Sequence, residues 1–183
     1  MASAMVEGHA EFHKMLHDQI RREFTASQQY IAIAIYFDSN HLPQLAQRFY
    51  SQATEERSHA MMMVQYLLDR DVEVRVSGVD DVVTTFESAH DAVELALKQE
   101  NEVTRQITDL TRAARDGNDF LGERFMGWFL QEQVEEVASM SELLAVVDTA
   151  AGNIFDLEAY VARELNGPST PDPTAPKAAG AGF

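Results

Sequence analysis

Glu56 and His59 stand three residues apart, a spacing that on a helix sends both side chains out of one face. A carboxylate and an imidazole presented together suit a divalent transition metal, which accepts hard oxygen donors beside a neutral nitrogen. One such pair is a weak signal. Here, however, Glu23, Glu56 and His59 recur at a constant offset of 77 residues as Glu100, Gln133 and Glu136. The chain reads as two related halves, each supplying one acid and then a pair three residues apart. Each of these positions lies within an apolar stripe of helical period. Phe12, Leu16 and Ile20 lead to Glu23 and Phe24; Phe49, Gln52 and Ala53 lead to Glu56, His59 and Met63; Val93 and Leu97 lead to Glu100; Phe125 and Phe129 lead to Gln133 and Glu136. Tyr30, seven residues after Glu23, follows in the same register. Four carboxylates thus point toward one interior. Burying an ionised carboxylate costs several kcal/mol unless it is paired or bound to metal. The stripes carry no matching cations, and a pair of divalent ions would turn the repulsion into coordination.

Taken singly, each residue has a plainer reading. A lone Glu on a stripe is usually a surface position, and a lone His is usually a satisfied core residue. Four inward positions with matched offsets outweigh those readings. His9, His13 and His17 form an i, i+4 ladder with no partner carboxylates evident, so they are read as solvated or packed and left out of the site. Met61, Met62 and Met63 are read as core or interface filler.

The elements that hold these residues are helices. No proline interrupts Gln44–Gly167. The spacing predicts helices over about His9–Asp38, Pro43–Asp71, Phe86–Arg115 and Asp119–Ala151, with Phe24, Ile31 and Ile35 among the inward positions of the first. The second would be roughly 43 Å long, a bundle dimension rather than that of a small globule. Val72-Glu73-Val74-Arg75-Val76 alternates like a strand, but with no partner strand it is read as part of a long connection. Two short loops and one long connection define an all-α four-helix bundle with a crossover. After Gly152-Asn153 a short fifth helix, Asn153–Leu165, carries an apolar stripe of Ile154, Leu157, Val161 and Leu165 that one subunit need not bury. One domain therefore spans 1–165, and the Pro-, Gly- and Ala-rich residues 166–183 read as a flexible tail.

Composition narrows the function further. With 14 Lys+Arg against 30 Asp+Glu, the net charge of −16 disfavours nucleic acid and anionic membranes and favours cations. The absence of cysteine excludes disulfide scaffolds, thiol chemistry and iron–sulfur clusters. No apolar run reaches the roughly 18 residues of a membrane span. Met1–His13 shows no basic stretch followed by an apolar one, so the expected location is the cytoplasm.

At Glu23-Phe24-Thr25-Ala26-Ser27-Gln28-Gln29-Tyr30, Glu55-Glu56-Arg57-Ser58-His59-Ala60 and Glu132-Gln133-Val134-Glu135-Glu136 the chain resembles the ferritins, specifically the non-haem bacterial ferritins of actinobacteria. The similarity covers about His9–Leu165. It implies an iron-storage protein with ferroxidase activity, oxidising Fe(II) with dioxygen or peroxide at a di-iron centre and storing Fe(III) as a ferric oxide mineral inside a shell of 24 subunits. By the resemblance, Glu23, Glu56 and His59 hold one iron, and Glu56, Glu100 and Glu136 the second, with Glu56 bridging. Gln133 sits against the second iron, Tyr30 is near enough to donate an electron or proton, and Glu55, Glu132 and Glu135 form a weaker third site. Glu123 matches the acidic lining of three-fold pores, and Met126 stands where animal ferritins have another acid. Bacterioferritins carry a haem-ligating methionine immediately after the second-helix glutamate; here that residue is Arg57, so no haem is expected. The fifth helix would make four-fold contacts.

Three rival readings remain. One is a di-metal catalase or oxygenase on the same bundle, and one is a bundle with no metal. The third makes the tail, with its Pro168-Ser169-Thr170-Pro171-Asp172-Pro173 run, a docking peptide for a partner; the same run fits a linker, which is favoured.

Overall fold

Side chains one turn apart on a helix do not stay in line: each four-residue step rotates the position by 40°, so a stripe must alternate steps of three and four. That rule decides how the first helix lies. In the computed structural model, which describes residues 2–150, 152–167 and 172–180 and side chains from His9 onward, α1 spans Ala2–Ser39. Its buried series runs Phe12, Leu16, Ile20, Glu23, Ala26, Tyr30, Ile33 and Phe37. The expectation that Phe24, Ile31 and Ile35 face inward is corrected: Phe24 and Ile31 are half-buried and Ile35 is 54% exposed, because an unbroken run of four-residue steps leaves the core face.

The remaining helices follow closely: α2 over Pro43–Asp69, α3 over Ala89–Asp116, α4 over Phe120–Ala150 and α5 over Ile154–Tyr160. A single π-helical turn, Val161–Leu165, extends α5. Ser88 caps α3 by accepting from the Asp91 amide at 3.1 Å, and Asp119 caps α4 by accepting from the Gly122 amide at 3.0 Å. The breaks fall at residues with left-handed backbone: His41, Asp71, Asn118 and Gly152 have φ of 61°, 55°, 58° and 87°. Glycine is the one residue type that adopts this conformation without strain, which makes Gly152 the natural corner between α4 and α5.

α1 packs along α2, α3 along α4, and α1 beside α3. The connection between α2 and α3 contains no strand. It runs parallel to α1: the Glu73 carbonyl meets the His17 ring at 3.0 Å, the Asp80 amide donates to Thr25 Oγ1 at 3.1 Å, and Val83 exchanges two hydrogen bonds of 2.7 Å with the Gln29 amide. Its Val/Glu/Val/Arg alternation turns Val72 and Val74 toward the core and leaves Glu73 and Arg75 in water. The chain thereby returns to the end at which α1 finishes, so α3 runs antiparallel to α1. This is the four-helix bundle with a crossover.

Two expectations for the C-terminal region change. The apolar stripe of α5 splits: Leu157 and Val161 are buried in the subunit's own core and Leu165 is half-buried, whereas Ile154 and its neighbour Phe155 are 50% and 87% exposed. Of the tail expected to be flexible, residues 172–180 are seated on the bundle. The Trp128 indole donates to Asp172 Oδ2 at 2.7 Å, the Ala179 amide donates to the Met61 carbonyl at 2.9 Å, and Ala175, Ala178 and Ala179 pack on the core. Pro168–Pro171 lie outside the described residues. No described helix is long and apolar enough to cross a membrane.

The fifth helix is held by a charge-assisted cap. Pro43 lacks an amide hydrogen, and the next two amides of α2, Gln44 and Leu45, donate to the Glu158 carboxylate at 2.8 and 3.0 Å. Glu158→Ala should leave those amides unsatisfied at a cost of about 1–2 kcal/mol. Faster hydrogen exchange at Gln44 and Leu45, with earlier proteolysis near Gly152, is the expected result.

Candidate metal centre

The bundle has two apolar clusters, one around Phe12, Leu16, Met63 and Ile107 and one around Tyr30, Phe37, Phe49 and Leu143. Between them lies a polar belt. Each helix contributes from near its middle: Glu23 and Tyr30 from α1, Glu56 and His59 from α2, Glu100 from α3, Gln133 and Glu136 from α4. None is more than 7% exposed. The ligand atoms fall into two triads that share one residue: Glu23, Glu56 and His59 lie within 4.8 Å of one another, as do Glu56, Glu100 and Glu136. All seven residues singled out by spacing thus share one site.

The supporting hydrogen bonds show how each acid is aimed. Gln19 donates to Glu23 Oε1 at 2.9 Å, and Tyr30 Oη donates to Glu100 Oε1. The opposite oxygens, Glu23 Oε2 and Glu100 Oε2, are buried with no hydrogen-bond partner. Such orphaned oxygens are costly unless something absent from the polypeptide meets them, and a cation at each triad does so. Gln52 donates to Glu56 Oε1 at 3.0 Å, Gln133 donates to Glu136 Oε2, and Thr104 Oγ1 donates to Gln133 Oε1 at 2.9 Å. Gln19, Gln52 and Thr104 brace the belt, and the spacing did not single them out for that role. The available signal was the i, i+4 Gln–Glu spacing, repeated at 19/23 and 52/56.

The electrostatics follow from crowding. Burial, then Glu56, pushes the Glu23 carboxyl up to about 8. Burial, then Glu56, pushes Glu100 up to about 7, and the same two causes hold Glu136 well above the carboxylate range. Glu56 goes the other way: burial opposes its ionisation, but His59 and Gln52 outweigh that and hold it below its ordinary value. His59 is desolvated too, yet Glu56, with Nδ1 to Oε2 at 3.5 Å, carries it up to about 9. Burial and the neighbouring Glu100 raise the Tyr30 hydroxyl well above its ordinary value. Without metal, protons do part of the work of cations.

Glu55, Glu132 and Glu135 flank this centre on a groove of about 940 Å³ between α2 and α4, which Trp128 and Asp172 also line. Glu55 and Glu135 are exposed and Glu132 is half-buried. The histidine ladder lies away from the belt: His13 Nε2 lies 3.8 Å from Asp119 Oδ2 without a hydrogen bond, and His17 reaches the carbonyls of His13 and Glu73 at 2.7 and 3.0 Å. Glu123 pairs with Arg115 at 2.8 Å, and Met126, matched by resemblance to a pore acid, is fully buried in the subunit core.

Four antiparallel helices around two triads of carboxylate and imidazole, each able to hold a metal ion, define a carboxylate-belted four-helix bundle. The ferritin-like domain family matches residues 13–150. The chain is 59% identical over 170 residues to "Ferritin BfrB" of Mycolicibacterium smegmatis, covering 93% of each chain. It is 57% identical over 171 residues to "Bacterioferritin BfrB" of Mycobacterium tuberculosis, covering 93% of this chain and 91% of the relative. It is 37% identical over 123 residues to a bacterial non-heme ferritin of Staphylococcus aureus, covering 67% and 74%. Among solved structures, the open pore ferritin of the archaeon Archaeoglobus fulgidus matches with a TM-score of 0.80 at 27% identity, covering 84% of this chain and 95% of that one. The chain belongs to the ferritins. It is a bacterial ferritin, a homo-oligomeric iron-storage protein with ferroxidase activity.

The raised pKa values give a signed pH dependence for metal-free protein. Glu23 and Glu100 sit above their ordinary 4.5, so stability falls as pH rises from 4.5 through about 7 and 8. His59 is raised from 6.5 to about 9, so its contribution is intact below 6.5 and lost by about 9. The lowered Glu56 acts with the opposite sign, below 4.5. Thermal melts of metal-free protein should therefore drop between pH 6 and 9, by up to ~1.4 kcal/mol per pH unit for each excess proton held natively. Zn(II) should flatten the curve. Melting temperatures that rise over this window would contradict the assignment of the belt.

Proposed function

We propose that the two triads are the ferroxidase centre: Glu23, Glu56 and His59 bind one Fe(II), and Glu56, Glu100 and Glu136 the other, with Glu56 bridging. The sharing of Glu56 between the triads carries this reading. Gln133 stands against the second ion as a hydrogen-bonding or weak ligand. Iron is the substrate, not a resident cofactor, and the protein's task is to bind it, lose protons to make room, and let it go after oxidation by dioxygen or peroxide.

The residues divide that task. Fe(II) binding takes the proton from His59 and those shared among Glu23, Glu100 and Glu136, so each ion enters against released H⁺. Gln19 and Tyr30 each hold one oxygen of a terminal carboxylate and leave its other oxygen for metal, so ligand orientation precedes binding. Hard carboxylate oxygens favour Fe(III) over Fe(II), which makes oxidation downhill once both ions are bound. His59 supplies one neutral donor and limits the negative charge that would trap the product. Tyr30 is placed to give an electron or a proton to reduced oxygen species. Glu55, Glu132 and Glu135 form a weaker third iron site on the groove, through which Fe(III) passes toward the mineral.

The finer aspects of the reading concern haem, assembly and location. Arg57 is exposed where a bacterioferritin-type axial methionine would stand, and Met61–Met63 are a turn or more away, so the protein binds no haem. The shell contains 24 subunits, with Ile154 and Phe155 of α5 covered by symmetry copies, and works in the cytoplasm. The seating of 172–180 on the bundle favours a tail that serves its own subunit over one that docks a partner.

Glu56→Ala removes the bridge, and the fast phase of iron oxidation should be lost, at least about a hundredfold in rate, in protein that still folds and assembles. Because it also leaves the buried His59 imidazole without its ion-pair partner, the metal-free variant should melt below wild type. Oxidation at the wild-type rate would refute the assignment. Haem added to purified protein should give no stoichiometric bis-methionine spectrum. Deletion from Gly152 onward should shift the particle toward smaller species in light scattering, whereas a full-length chain running as a monomer or dimer would end the storage-shell reading.

A further inference from the structure

The groove beside the belt is charged unequally along its length. α2 and α4 line it in opposite directions, so Arg48 meets Ser139 at one end and His59 meets Trp128 farther along. The Arg48 end abuts Leu165 and Asn166; the other holds Asp172 and Thr174. Arg48 is half-buried, and its Nη2 donates to Ser139 Oγ at 2.6 Å. Its Nε is buried without an acceptor, and no described carboxylate forms an ion pair with it. In a chain with 30 acids and 14 bases, this fixed arginine keeps a charge that no groove acid neutralises. The acids at the two ends therefore differ in surroundings. Arg48 acts on Glu55 and favours its charged form, whereas Glu132 meets the like charges of Glu55, Glu135 and Asp172. Asp172 itself is held charged. The Trp128 indole donates to it at 2.7 Å and the Thr174 amide and hydroxyl at 2.8 Å, which keeps its carboxyl below the usual range.

We propose that Arg48 is a cation stop: its fixed charge closes the groove toward the C-terminal helix, so iron leaving the pair moves toward Glu132 and Asp172. The proposal rests on the assignment of the two triads and the groove given above. A stop is needed because His59 and Glu136 open on the groove between its ends, which leaves an emerging ion two ways to go. Arg48 and Glu55 are seven residues apart on α2, roughly 10 Å along the helix axis, with a long flexible side chain closing part of that gap. Across a half-buried groove, repulsion at this range exceeds thermal energy and scales with the charge of the ion. It is therefore half as large again for Fe(III) as for Fe(II). The stop bears more on the product than on the substrate, and Asp172 pulls in the same direction. Arg48 is a positioning residue: it touches neither the pair nor the oxidant, and no bond to it forms or breaks.

The test is made on the assembled full-length protein with two readouts. Tb(III) serves as the probe for a trivalent ion, because Trp128, the protein's only tryptophan, lines the groove and sensitises Tb(III) luminescence. With the pair first filled by Zn(II), Arg48→Met should bind groove Tb(III) about tenfold more tightly, and Asp172→Asn about tenfold more weakly. The second readout adds Fe(II) twice in air and compares the fast oxidation phase of the second addition with that of the first. In Arg48→Met that ratio should fall about threefold at a fixed interval, because Fe(III) lingers in the groove. Two variants separate charge from packing. Arg48→Lys keeps the charge without the guanidinium fork, and Ser139→Ala breaks the tie between α2 and α4. Both should match wild type in both readouts. Unchanged Tb(III) affinity or an unchanged ratio in Arg48→Met, or the Arg48→Met behaviour appearing in Arg48→Lys and Ser139→Ala, would overturn the stop. Unchanged affinity in Asp172→Asn would overturn the direction of exit. Failure of wild-type protein to bind Zn(II) at the pair would overturn the reading of the pair itself, an outcome distinct from the others.

Discussion

Four carboxylates and one imidazole occupy the middle of a bundle, between two clusters of apolar side chains. At the dielectric of a protein interior, like charges this close repel strongly, and no buried Lys or Arg stands among them to compensate. The belt thus opposes folding, and the surrounding structure holds it in place. The two aromatic and aliphatic clusters above and below clamp the helices. The long crossover, fastened to α1 by Gln29 and Thr25, lets α3 run antiparallel to α1 and brings Glu100 against Tyr30. Protons stand in for cations when metal is absent, which explains why Glu23, Glu100 and Glu136 are held neutral to higher pH while Glu56, paired with His59, keeps its charge.

The same strain is useful. A site that already contains its ligands in two overlapping triads, with one oxygen of each terminal acid left without a partner, gains most when divalent ions arrive. Gln19, Gln52 and Gln133 each donate to one oxygen of a belt carboxylate, and Thr104 fixes the Gln133 side chain. The arrangement suits transit better than storage at the site, because the acids release protons on binding and only one neutral nitrogen anchors each subunit's pair. The acidic groove beside it, lined by Glu55, Glu132, Glu135 and Asp172, offers further carboxylate oxygens next to the belt.

Much of this was legible in the sequence, because the belt breaks a rule. A glutamate within an apolar stripe is conspicuous, and the 77-residue offset repeats the anomaly in both halves, so Glu23, Glu56, His59, Glu100, Gln133 and Glu136 could be grouped before any coordinates. Helix ends were legible at Pro43, Asp119 and Gly152, where backbone chemistry leaves little choice, whereas the third helix starts at Ala89 behind its Ser88 cap, three residues later than its apolar pattern suggested. What escaped has physical reasons. Gln19 is polar but uncharged, and its role depends on a contact with Glu23 that many surface glutamines would mimic in sequence. Phe24, Ile31 and Ile35 are apolar at plausible spacing, and only accumulated rotation along α1 turns them away from the core. The tail's composition reads as mobile because it lacks large apolar residues. It is held instead by one indole hydrogen bond, one backbone bond to Met61 and small alanines, none of which leaves a periodic mark.

The central claim is that one glutamate bridges two ions inside a single subunit. Crystals of metal-free protein soaked anaerobically in Fe(II) and measured on either side of the iron absorption edge test it directly. The account predicts two anomalous peaks per subunit within the belt, one against Glu23 and His59 and one against Glu100 and Glu136, with the Glu56 carboxylate between them. A single peak in the belt, or peaks confined to the surface groove with Glu56 bound to neither, would contradict it.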